Sequence, residues 1–254
     1  MPAYDFRTPR LYLEAPLAAG TMLPLDRNQS NYLANVLRRK NGDAVLVFNG
    51  REGEWRTQVE GAGRKGMALS VVEQTRPQTA PADLHYLFAP LKQARLDYLI
   101  QKAVELGVSR LVPVLTRHGQ VARVNRDRAR ANAIEAAEQC GILNLPEVAA
   151  PVALPRLLAE WVPERLMVFC DEEAPVADPI AVLQEARRST PPLLGPLPVS
   201  VLIGPEGGFS EEERSALVKL PNLVRLSLGP RILRADTAAV AVLALVQATL
   251  GDWR

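Results

Sequence analysis

Two segments of the sequence combine glycines with charged side chains directly after apolar runs. Residues 204–209, Gly-Pro-Glu-Gly-Gly-Phe, follow the apolar segment Val199–Ile203, and residues 228–238 follow a second apolar segment. Ligands of open α/β sheets bind outside the carboxyl ends of the strands, and glycines let a backbone approach a ligand closely. The sequence therefore predicts that both segments are loops of one binding site.

The charges after the first loop indicate which ligands it favours. Ser210 and Glu213 have the spacing of a capping box, and Glu211 and Glu212 add two carboxylates to the first turn of the same helix. Carboxylates thus occupy the positive end of the helix dipole, and the loop lacks the lysine of a phosphate-binding P-loop. The loop suits a neutral or cationic ligand, and the sulfonium of S-adenosylmethionine is one. A structural strand-to-helix turn has the same spacing.

The second loop carries side chains that are able to take part in a reaction. Arg231, Arg234, Asp236 and Thr237 lie close together in it. A carboxylate can accept a proton, and a guanidinium can stabilise an anion. Two structural interpretations stay open: Asp236 or Thr237 as the cap of the following helix, and an ion-pair cluster of Asp236 with the two arginines.

The elements that position both loops alternate between strand and helix. This alternation after residue 81 predicts a mostly parallel sheet with helices on both faces. The predicted strands are residues 84–89, 110–115, 166–170, 199–203 and 223–228. The predicted helices are residues 93–106, 125–139, 210–219 and 236–250. Both glycine loops then leave the same edge of the sheet.

The first 74 residues have a different pattern. Short segments separated by turn signals predict a small β-barrel with strands at residues 10–13, 44–48, 55–59 and 67–73. Tyr32, Leu33, Val36 and Leu37 have the spacing of a short helix. Residues 75–81 contain two prolines and no apolar periodicity. The predicted organisation is a β-domain at 1–74, a linker at 75–81 and an α/β domain at 82–254.

The composition excludes several classes of protein. The net charge is only +2, but a basic stripe is opposed only by Asp127 and consists of Arg117, Arg123, Arg126, Arg128 and Arg130. Two cysteines and two histidines indicate neither a disulfide framework nor a metal site, and Cys140 is expected to be buried in a helix. The N-terminus is too polar for a signal peptide, and the longest apolar run, residues 238–246, is too short to span a bilayer. We expect a cytoplasmic protein without a membrane partner.

Longer motifs join these features. They are Pro-Arg-Leu-Tyr at residues 9–12, Val-Leu-Arg at 36–38, Gln-Lys-Ala-Val-Glu-Leu-Gly-Val at 101–108, Glu-Gln-Cys-Gly at 138–141, Leu-Ile-Gly-Pro-Glu-Gly-Gly at 202–208 and Leu-Gly-Pro-Arg-Ile-Leu-Arg at 228–234. Through them the chain resembles, nearly end to end, the ribosomal small-subunit RNA uridine-N3 methyltransferases, a branch of the SPOUT superfamily. The last two motifs, in that order, are typical of the family.

The resemblance implies a fold, a cofactor and partners. It implies a PUA-like RNA-binding barrel, an α/β SPOUT domain with a trefoil knot, and a homodimer. General rules of chain topology make knots rare, so the knot depends on the resemblance alone. It also implies methylation of N3 of a specific uridine in 16S rRNA of the 30S subunit, near the decoding centre. S-adenosylmethionine would be bound among three loops by Leu115, Thr116, Leu202, Ile203, Gly204, Pro205, Glu206, Gly207, Gly208, Leu228, Gly229, Ile232, Leu233, Arg234 and Thr237.

The sequence departs from the family pattern in three places. Ala235-Asp236-Thr237 stands where the family usually has Thr-Glu-Thr, so a carboxylate is retained on a side chain shorter by one methylene. Ile142 and Asn144 replace arginines that often follow the Glu-Gln-Cys-Gly motif. A histidine common in the helix of the first domain is absent.

Asp236 and Arg234 are the predicted catalytic residues. N3 of uridine carries a proton that Asp236 is expected to accept, and Arg234 is expected to stabilise the resulting anion on O2 and O4. Pairing of Arg234 with Asp236 for structure alone is an open alternative. The predicted phosphate contacts, for each of which a solvated charged surface is the alternative, are Arg10, Arg38 and Arg39 in the first domain and Arg123, Arg126 and Arg128 in the second.

Three functions compete at this point. A methyltransferase needs both glycine loops and binds S-adenosylmethionine. A nucleotide-phosphate enzyme on a Rossmann-like sheet is disfavoured by the acidic helix start and the missing lysine. A non-catalytic RNA-binding assembly factor would use the barrel and the basic stripe without needing either loop.

Overall fold

The computed structural model describes residues 5–63, 66–175, 178–190 and 195–253. Its contacts divide the chain into two compact units. The first consists of Met1–Ala80 and Ala137–Leu145, and the second of Pro81–Ala136 and Pro146–Arg254. Residues 137–145 therefore group with the N-terminal unit, although the sequence analysis placed them in the α/β domain. The boundary at residues 75–81 stays a prediction, and the last strand of the first sheet continues as far as Arg76.

The first unit contains a five-stranded sheet. Its strands are β1 (Arg10–Tyr12), β2 (Met22–Pro24), β3 (Ala44–Phe48), β4 (Glu54–Gly63) and β5 (Gly66–Arg76). The order is β1-β3-β4-β5-β2, in which β1 pairs parallel with β3 and the other pairs are antiparallel. Alternate side chains of β3, β4 and β5 form its core, with Leu33 and Leu69 completely buried. Closure of this sheet into a barrel stays a prediction.

The helix predicted in the first unit is two short helices in sequence. Helix α1 (Arg27–Asn31) begins at Asp26, which forms a capping box with Gln29, and a π-helical turn follows at Tyr32–Val36. Arg38 then adopts φ 55°, a backbone conformation that glycine or asparagine usually occupies.

The second unit contains a parallel sheet, as predicted. Its strands are β6 (Leu84–Phe88), β7 (Arg110–Leu115), β8 (Glu147–Val148), β9 (Val152–Ala153), β10 (Leu166–Cys170), β11 (Val199–Ile203) and β12 (Leu223–Leu226). The order is β12-β10-β11-β6-β7-β8, and β9 also pairs with β7. The pairs observed between these strands are all parallel, and β10 lies between β11 and β12. The carboxyl ends of these three strands therefore meet at one edge.

Helices cover the sheet of the second unit. They are α2 (Gln93–Glu105), α3 (Arg126–Cys140), α4 (Leu154–Ala159), α5 (Pro179–Ser189), α6 (Glu211–Leu217) and α7 (Ala235–Thr249). Leu154 of α4 and Leu217 of α6 pack in one apolar cluster with Leu87 and Leu202 of the sheet. Helix α7 packs against α2, α5 and β11.

Gly107 caps the C-terminus of α2. Gly107 has φ 75°, and the amides of Gly107 and Val108 donate to carbonyls of Val104 and Ala103 in the last turn. A Cβ at Gly107 would lie 3.8 Å from Cδ of Gln247 and overlap its amide nitrogen, which donates to the Leu106 carbonyl. The glycine thus ends α2 and admits a buried side chain of α7.

Some elements of the described chain were not predicted from the sequence. Strands β2, β8 and β9 and helices α4 and α5 were not predicted. Within the described ranges, none of the helices has both the length and the hydropathy needed to cross a membrane. The trefoil knot stays a prediction.

Candidate active site

A cavity of about 410 Å³ opens at the carboxyl ends of β10, β11 and β12. Strand register explains its position, because Cys170 is paired with Ile203 on one side and Leu226 on the other, and the chain leaves the sheet just after all three. The lining residues are Cys170, Asp171, Glu172, Ile203, Gly204, Pro205, Glu206, Gly208, Phe209, Arg214, Leu226, Ser227, Leu228, Gly229, Pro230, Arg231, Ile232, Leu233, Arg234, Ala235 and Ala238. The two glycine loops therefore do enclose one cavity.

Most of the predicted cofactor residues line this cavity. Those that do are Ile203, Gly204, Pro205, Glu206, Gly208, Leu228, Gly229, Ile232, Leu233 and Arg234. Those outside the lining are Leu115, Thr116, Leu202, Gly207 and Thr237. Leu202 is fully buried in the apolar cluster under α4 and α6, since alternate side chains of β11 face opposite layers. Binding of a cofactor by any of these residues stays a prediction.

The third predicted loop supports the first glycine loop from outside the cavity. Nδ1 of His118 lies 3.2 Å from the carbonyl oxygen of Gly207. The amide of Arg117 donates to Glu213 at 2.8 Å. Glu213 also accepts from the amide of Ser210, and Ser210 accepts from the amide of Glu213, so the predicted capping box is confirmed. Arg117 and His118 therefore hold the start of α6 and the glycine loop in place.

Gly204 is required by the packing of an aromatic ring. A Cβ at this position would overlap the ring of Phe209. That ring packs edge-on against Phe169, with centroids 5.2 Å apart. The chain must therefore turn into the loop without a side chain at position 204.

A buried carboxylate, which the sequence analysis did not single out, forms part of the cavity wall. Asp171 has a side chain 1% exposed and contacts Arg214 at 3.2 Å and Arg225 at 2.6 Å. Arg214 also pairs with Glu173. Burial, followed by the charge of Asp171, raises the pKa of the Cys170 thiol to about 12, so that thiol is not a nucleophile. The sequence did contain a signal for Asp171. This residue directly follows the apolar strand β10, just as each glycine loop directly follows its own strand.

The side chains of the second loop do not make the helix-capping or ion-pair contacts that were considered for them. Arg234 is exposed and occupies the N-cap position of α7, so the interpretation of Asp236 or Thr237 as the cap is wrong. Asp236 is half-buried and accepts a hydrogen bond from the amide of Thr237 at 3.0 Å. Among the described residues, no ion pair joins Asp236 to Arg231 or Arg234. The ion-pair interpretation is therefore not supported, and the catalytic roles stay predictions.

Glu206 is a second cavity carboxylate, after Asp171, that has a cationic partner from another element. It forms an ion pair with Arg95, near the start of α2. Glu172 is exposed at the cavity, and its Oε1 lies 3.4 Å from the position of a Cβ on Gly208. The cavity wall thus holds two carboxylates that are paired with arginines, Asp171 and Glu206, and one exposed carboxylate, Glu172.

The predicted RNA-contacting arginines fall into two groups. The predicted RNA contact of Arg10 is wrong, because its side chain is 3% exposed and bound to Glu54 at 2.9 Å, which leaves it no access to a phosphate. Arg38 is exposed and Arg39 is half-buried. The second group is also exposed, but Arg126 donates to the Val148 carbonyl and Arg128 pairs with Asp97 at 2.6 Å; the remaining member is Arg123.

The predicted burial of Cys140 is also wrong. It was expected to be buried, but it is exposed at the end of α3. The motif around it has a structural role inside the first unit. Glu138 accepts the amide of Tyr12 at the edge of β1, and Gly141 accepts a hydrogen bond from Arg76 at 2.9 Å.

Family models match both parts of the chain. The model of the RNA methyltransferase domain matches residues 78–247, and that of the RNA methyltransferase PUA domain matches residues 25–72. The chain is 29% identical to Ribosomal RNA small subunit methyltransferase E of Rickettsia conorii, with 94% of each chain covered. It is 30% identical to the protein of the same name from Synechocystis, over 87% of this chain and 71% of that one.

Solved structures have the same fold. A Legionella pneumophila protein described as a methyltransferase, with S-adenosylmethionine bound, has a TM-score of 0.80 and 29% identity, covering 95% of this chain and 98% of that one. Ribosomal RNA small subunit methyltransferase E of Neisseria gonorrhoeae has a TM-score of 0.82 at 24% identity, covering 98% and 100%, which supports the fold. With the domain model matching most of the chain, the protein belongs to the RNA methyltransferase family and is a relative of the Ribosomal RNA small subunit methyltransferase E proteins.

Proposed function

We propose that the protein transfers a methyl group from S-adenosylmethionine to N3 of a specific uridine in 16S rRNA, near the decoding centre. The observation that carries the proposal is the cavity at the ends of β10, β11 and β12, enclosed by both family glycine loops. Relatives that share nearly the whole chain are named as small-subunit rRNA methyltransferases. The site and the family therefore support the same reaction.

The cavity residues fit the chemistry of S-adenosylmethionine. Its apolar lining suits the adenine ring and consists of Ile203, Leu226, Leu228 and Leu233. The exposed carboxylate of Glu172 suits a sulfonium or an ammonium group, whereas the cation of Arg214 is already neutralised by Asp171 and Glu173. A polyphosphate would meet an arginine that is already paired and three carboxylates in the cavity wall, so the nucleotide-phosphate alternative is disfavoured.

The chain's own residues supply orientation and proton transfer. When bound, S-adenosylmethionine supplies an electrophilic methyl group. Asp236 accepts the proton of uridine N3, and the nitrogen lone pair then becomes available for attack on the methyl carbon. Arg234, at the cavity mouth, stabilises the negative charge that spreads onto O2 and O4 of the base. The short side chain of Asp236 requires the uracil ring to lie close to the first turn of α7.

The substrate is 16S rRNA, which we infer is presented within the 30S subunit. The exposed Arg38 and the half-buried Arg39 of the first unit are proposed phosphate contacts, together with Arg123, Arg126 and Arg128 of the second. Because Arg128 is paired with Asp97, its contact would require exchange of one partner for another. Family membership supports a PUA-like barrel in the first unit, a knotted second unit, a homodimer and a cytoplasmic location.

A methyl-transfer assay tests the proposal. Purified protein is incubated with labelled S-adenosylmethionine and either free 16S rRNA or 30S particles lacking the modification, and the product nucleosides are separated. We expect N3-methyluridine, with Asp236→Asn reducing its rate of formation by about a hundredfold or more. Label in another nucleoside would contradict the proposed base, and full activity of Asp236→Asn would contradict the proposed proton acceptor.

A further inference from the structure

Strand β6 carries a tyrosine hydroxyl without a hydrogen-bond partner. Tyr86 is completely buried, and its ring stacks on that of Phe88 with centroids 5.1 Å apart. Its hydroxyl is buried and makes no hydrogen bond. Buried hydroxyls in folded proteins are nearly all paired, because an unpaired one has lost water without replacement. This hydroxyl therefore needs an explanation.

The strand register places Tyr86 on the side of the sheet that α7 covers. Leu87 and Leu202 face the apolar cluster beneath α4 and α6. Side chains alternate along a strand, so Tyr86 and its cross-strand partner Val201 face the opposite layer. Cys170, which lines the cavity, also alternates with a residue of that cluster and shares the face of Tyr86. The tyrosine thus lies in the layer directly behind the cavity.

Two titratable groups from neighbouring elements act on the Tyr86 hydroxyl. They are Cys170 from β10 and Asp236 from the first turn of α7. Burial, followed by these two groups, raises the pKa of Tyr86 well above 10, so the hydroxyl keeps its proton and is a donor. The Cys170 thiol also stays protonated and is a weak acceptor. The carboxylate of Asp236 is the stronger acceptor of the two.

We propose that Tyr86 is a positioning residue for Asp236, its hydroxyl donating to the Asp236 carboxylate directly or through one ordered water. The hydrogen bond would stabilise the ionised carboxylate and restrict the orientation of its side chain. The hydroxyl keeps its proton throughout, so Tyr86 takes no part in bond making. The proposal rests on the assignment of Asp236 as the proton acceptor in the proposed function.

The test combines a stability cycle with a rate profile. Tyr86→Phe removes only the hydroxyl, and Asp236→Asn removes only the charge. The free energy of unfolding is measured for the wild type, both single variants and the double variant. Ser200→Ala is the matched control, because the Ser200 hydroxyl is also completely buried and unpaired, on neighbouring β11. The value of kcat is then measured against pH for the wild type, Tyr86→Phe and Ser200→Ala with 30S particles lacking the modification.

The expected results are specific to the hydrogen bond. The two substitutions should be non-additive in stability. Tyr86→Phe should lower kcat about tenfold and move the acid limb of its profile to higher pH, since the carboxylate loses a donor to its charged form. Ser200→Ala should change neither the rate nor the acid limb.

Two outcomes would overturn the proposal. One is additivity in the stability cycle, and the other is an unchanged pH profile in a Tyr86→Phe protein that is as stable as the wild type or more so. The stability cycle does not depend on methyl transfer. Absence of N3-methyluridine from the wild-type reaction would therefore overturn the proposed function separately, while the cycle would still decide whether Tyr86 and Asp236 are bonded.

Discussion

Each unit of the molecule holds one buried carboxylate between two arginines. In the first unit Glu54 is bound by Arg10 at 2.9 Å and by Arg76 at 2.6 Å. Thr75 adds a hydrogen bond at 2.8 Å, and the side chain of Glu54 is 4% exposed. Glu54 and Arg10 are almost inaccessible to solvent, so we expect these charges to stabilise the fold.

The corresponding carboxylate of the second unit borders an open cavity. Asp171 is as deeply buried as Glu54, but its partner Arg225 is 31% exposed, and Asp171 and Arg214 both line the cavity. A ligand can therefore change the surroundings of this cluster. Buried ion pairs of the same residue types can therefore have different roles. The Glu54 cluster stabilises the fold, whereas the Asp171 cluster borders an open cavity and forms part of its wall.

The largest expected effect is the loss of Glu54. Glu54→Gln removes the charged partner of the buried Arg10 and the half-buried Arg76, which should lower the free energy of unfolding by about 3 to 5 kcal/mol. Denaturant titration measures this loss. Glu73→Gln is the matched control, because the Arg56–Glu73 pair is exposed and should contribute less than about 1 kcal/mol. Equal losses in the two variants would contradict a structural role for the Glu54 cluster.

The Glu54 cluster should also depend on pH. Burial opposes ionisation of Glu54, but hydrogen bonds from Arg76, Arg10 and Thr75 outweigh it and lower its pKa below 4.5. A lowered pKa contributes stability that is present above the ordinary value and is lost as the pH falls through the folded value. Because Glu54→Gln starts from a lower stability, its first unit should unfold at a higher pH than that of the wild type. Its free energy of unfolding should fall less steeply as the pH is lowered, because this titrating carboxylate is absent.

Asp171→Asn should have a smaller effect on stability and a larger effect on binding. Since Arg225 reaches solvent, we expect a loss of about 2 kcal/mol in the free energy of unfolding. Affinity for S-adenosylmethionine should fall about tenfold, because Arg214 keeps only Glu173 as a partner and its less neutralised charge opposes the sulfonium. Calorimetric titration measures the affinity, with Glu54→Gln as the comparison. Unchanged affinity in Asp171→Asn would place its cluster with the structural kind.

The comparison also separates what the sequence could predict from what it could not. Strands β3, β7, β10 and β11 have the predicted bounds, because each is a continuous apolar run between polar turns. Strand β2 has only three residues at a sheet edge, so no periodicity identifies it. Helix α5 did carry a signal, since Asp178 caps it and Pro179 occupies its first position.

The site was predictable in its loops and not in its wall. Glycine loops are visible as local motifs, whereas Asp171 acquires its partners only when β10 and β12 pair and α6 packs above them. Arg10 shows the opposite error. A motif arginine near the N-terminus suggested a phosphate contact, but burial against Glu54 depends on strands far apart in the sequence.

Gly204→Ala tests the role of the glycine loop without changing any charge. The added methyl group overlaps the ring of Phe209, so the loop must shift, and we expect a loss of about 1 to 2 kcal/mol in stability with weaker cofactor binding. Gly195→Ala is the control, since a Cβ there meets no atom within 4 Å. Thermal unfolding and calorimetric titration measure both quantities. If the two variants bind S-adenosylmethionine equally well, the loop does not form the site.

The smallest expected effect concerns a third carboxylate, at the opposite edge of the second sheet. Asp83 pairs with Arg165 at 2.6 Å and lies 3.3 Å from Nε2 of His85. Burial, then the charge of Arg165, lowers the pKa of His85 from 6.5 to about 4, although Asp83 opposes this. The contribution to stability is complete above pH 6.5 and is lost as the pH falls toward 4.

At about pH 5.7 the wild type should therefore lose roughly 1 kcal/mol of unfolding free energy relative to neutral pH through this histidine. His85→Gln should lose less over the same interval, because it carries no titrating group. Denaturant titrations at a series of pH values measure the slope. An identical slope in both proteins would mean that the pKa of His85 does not change on folding. The charge of Asp83 would then offset both burial and the charge of Arg165.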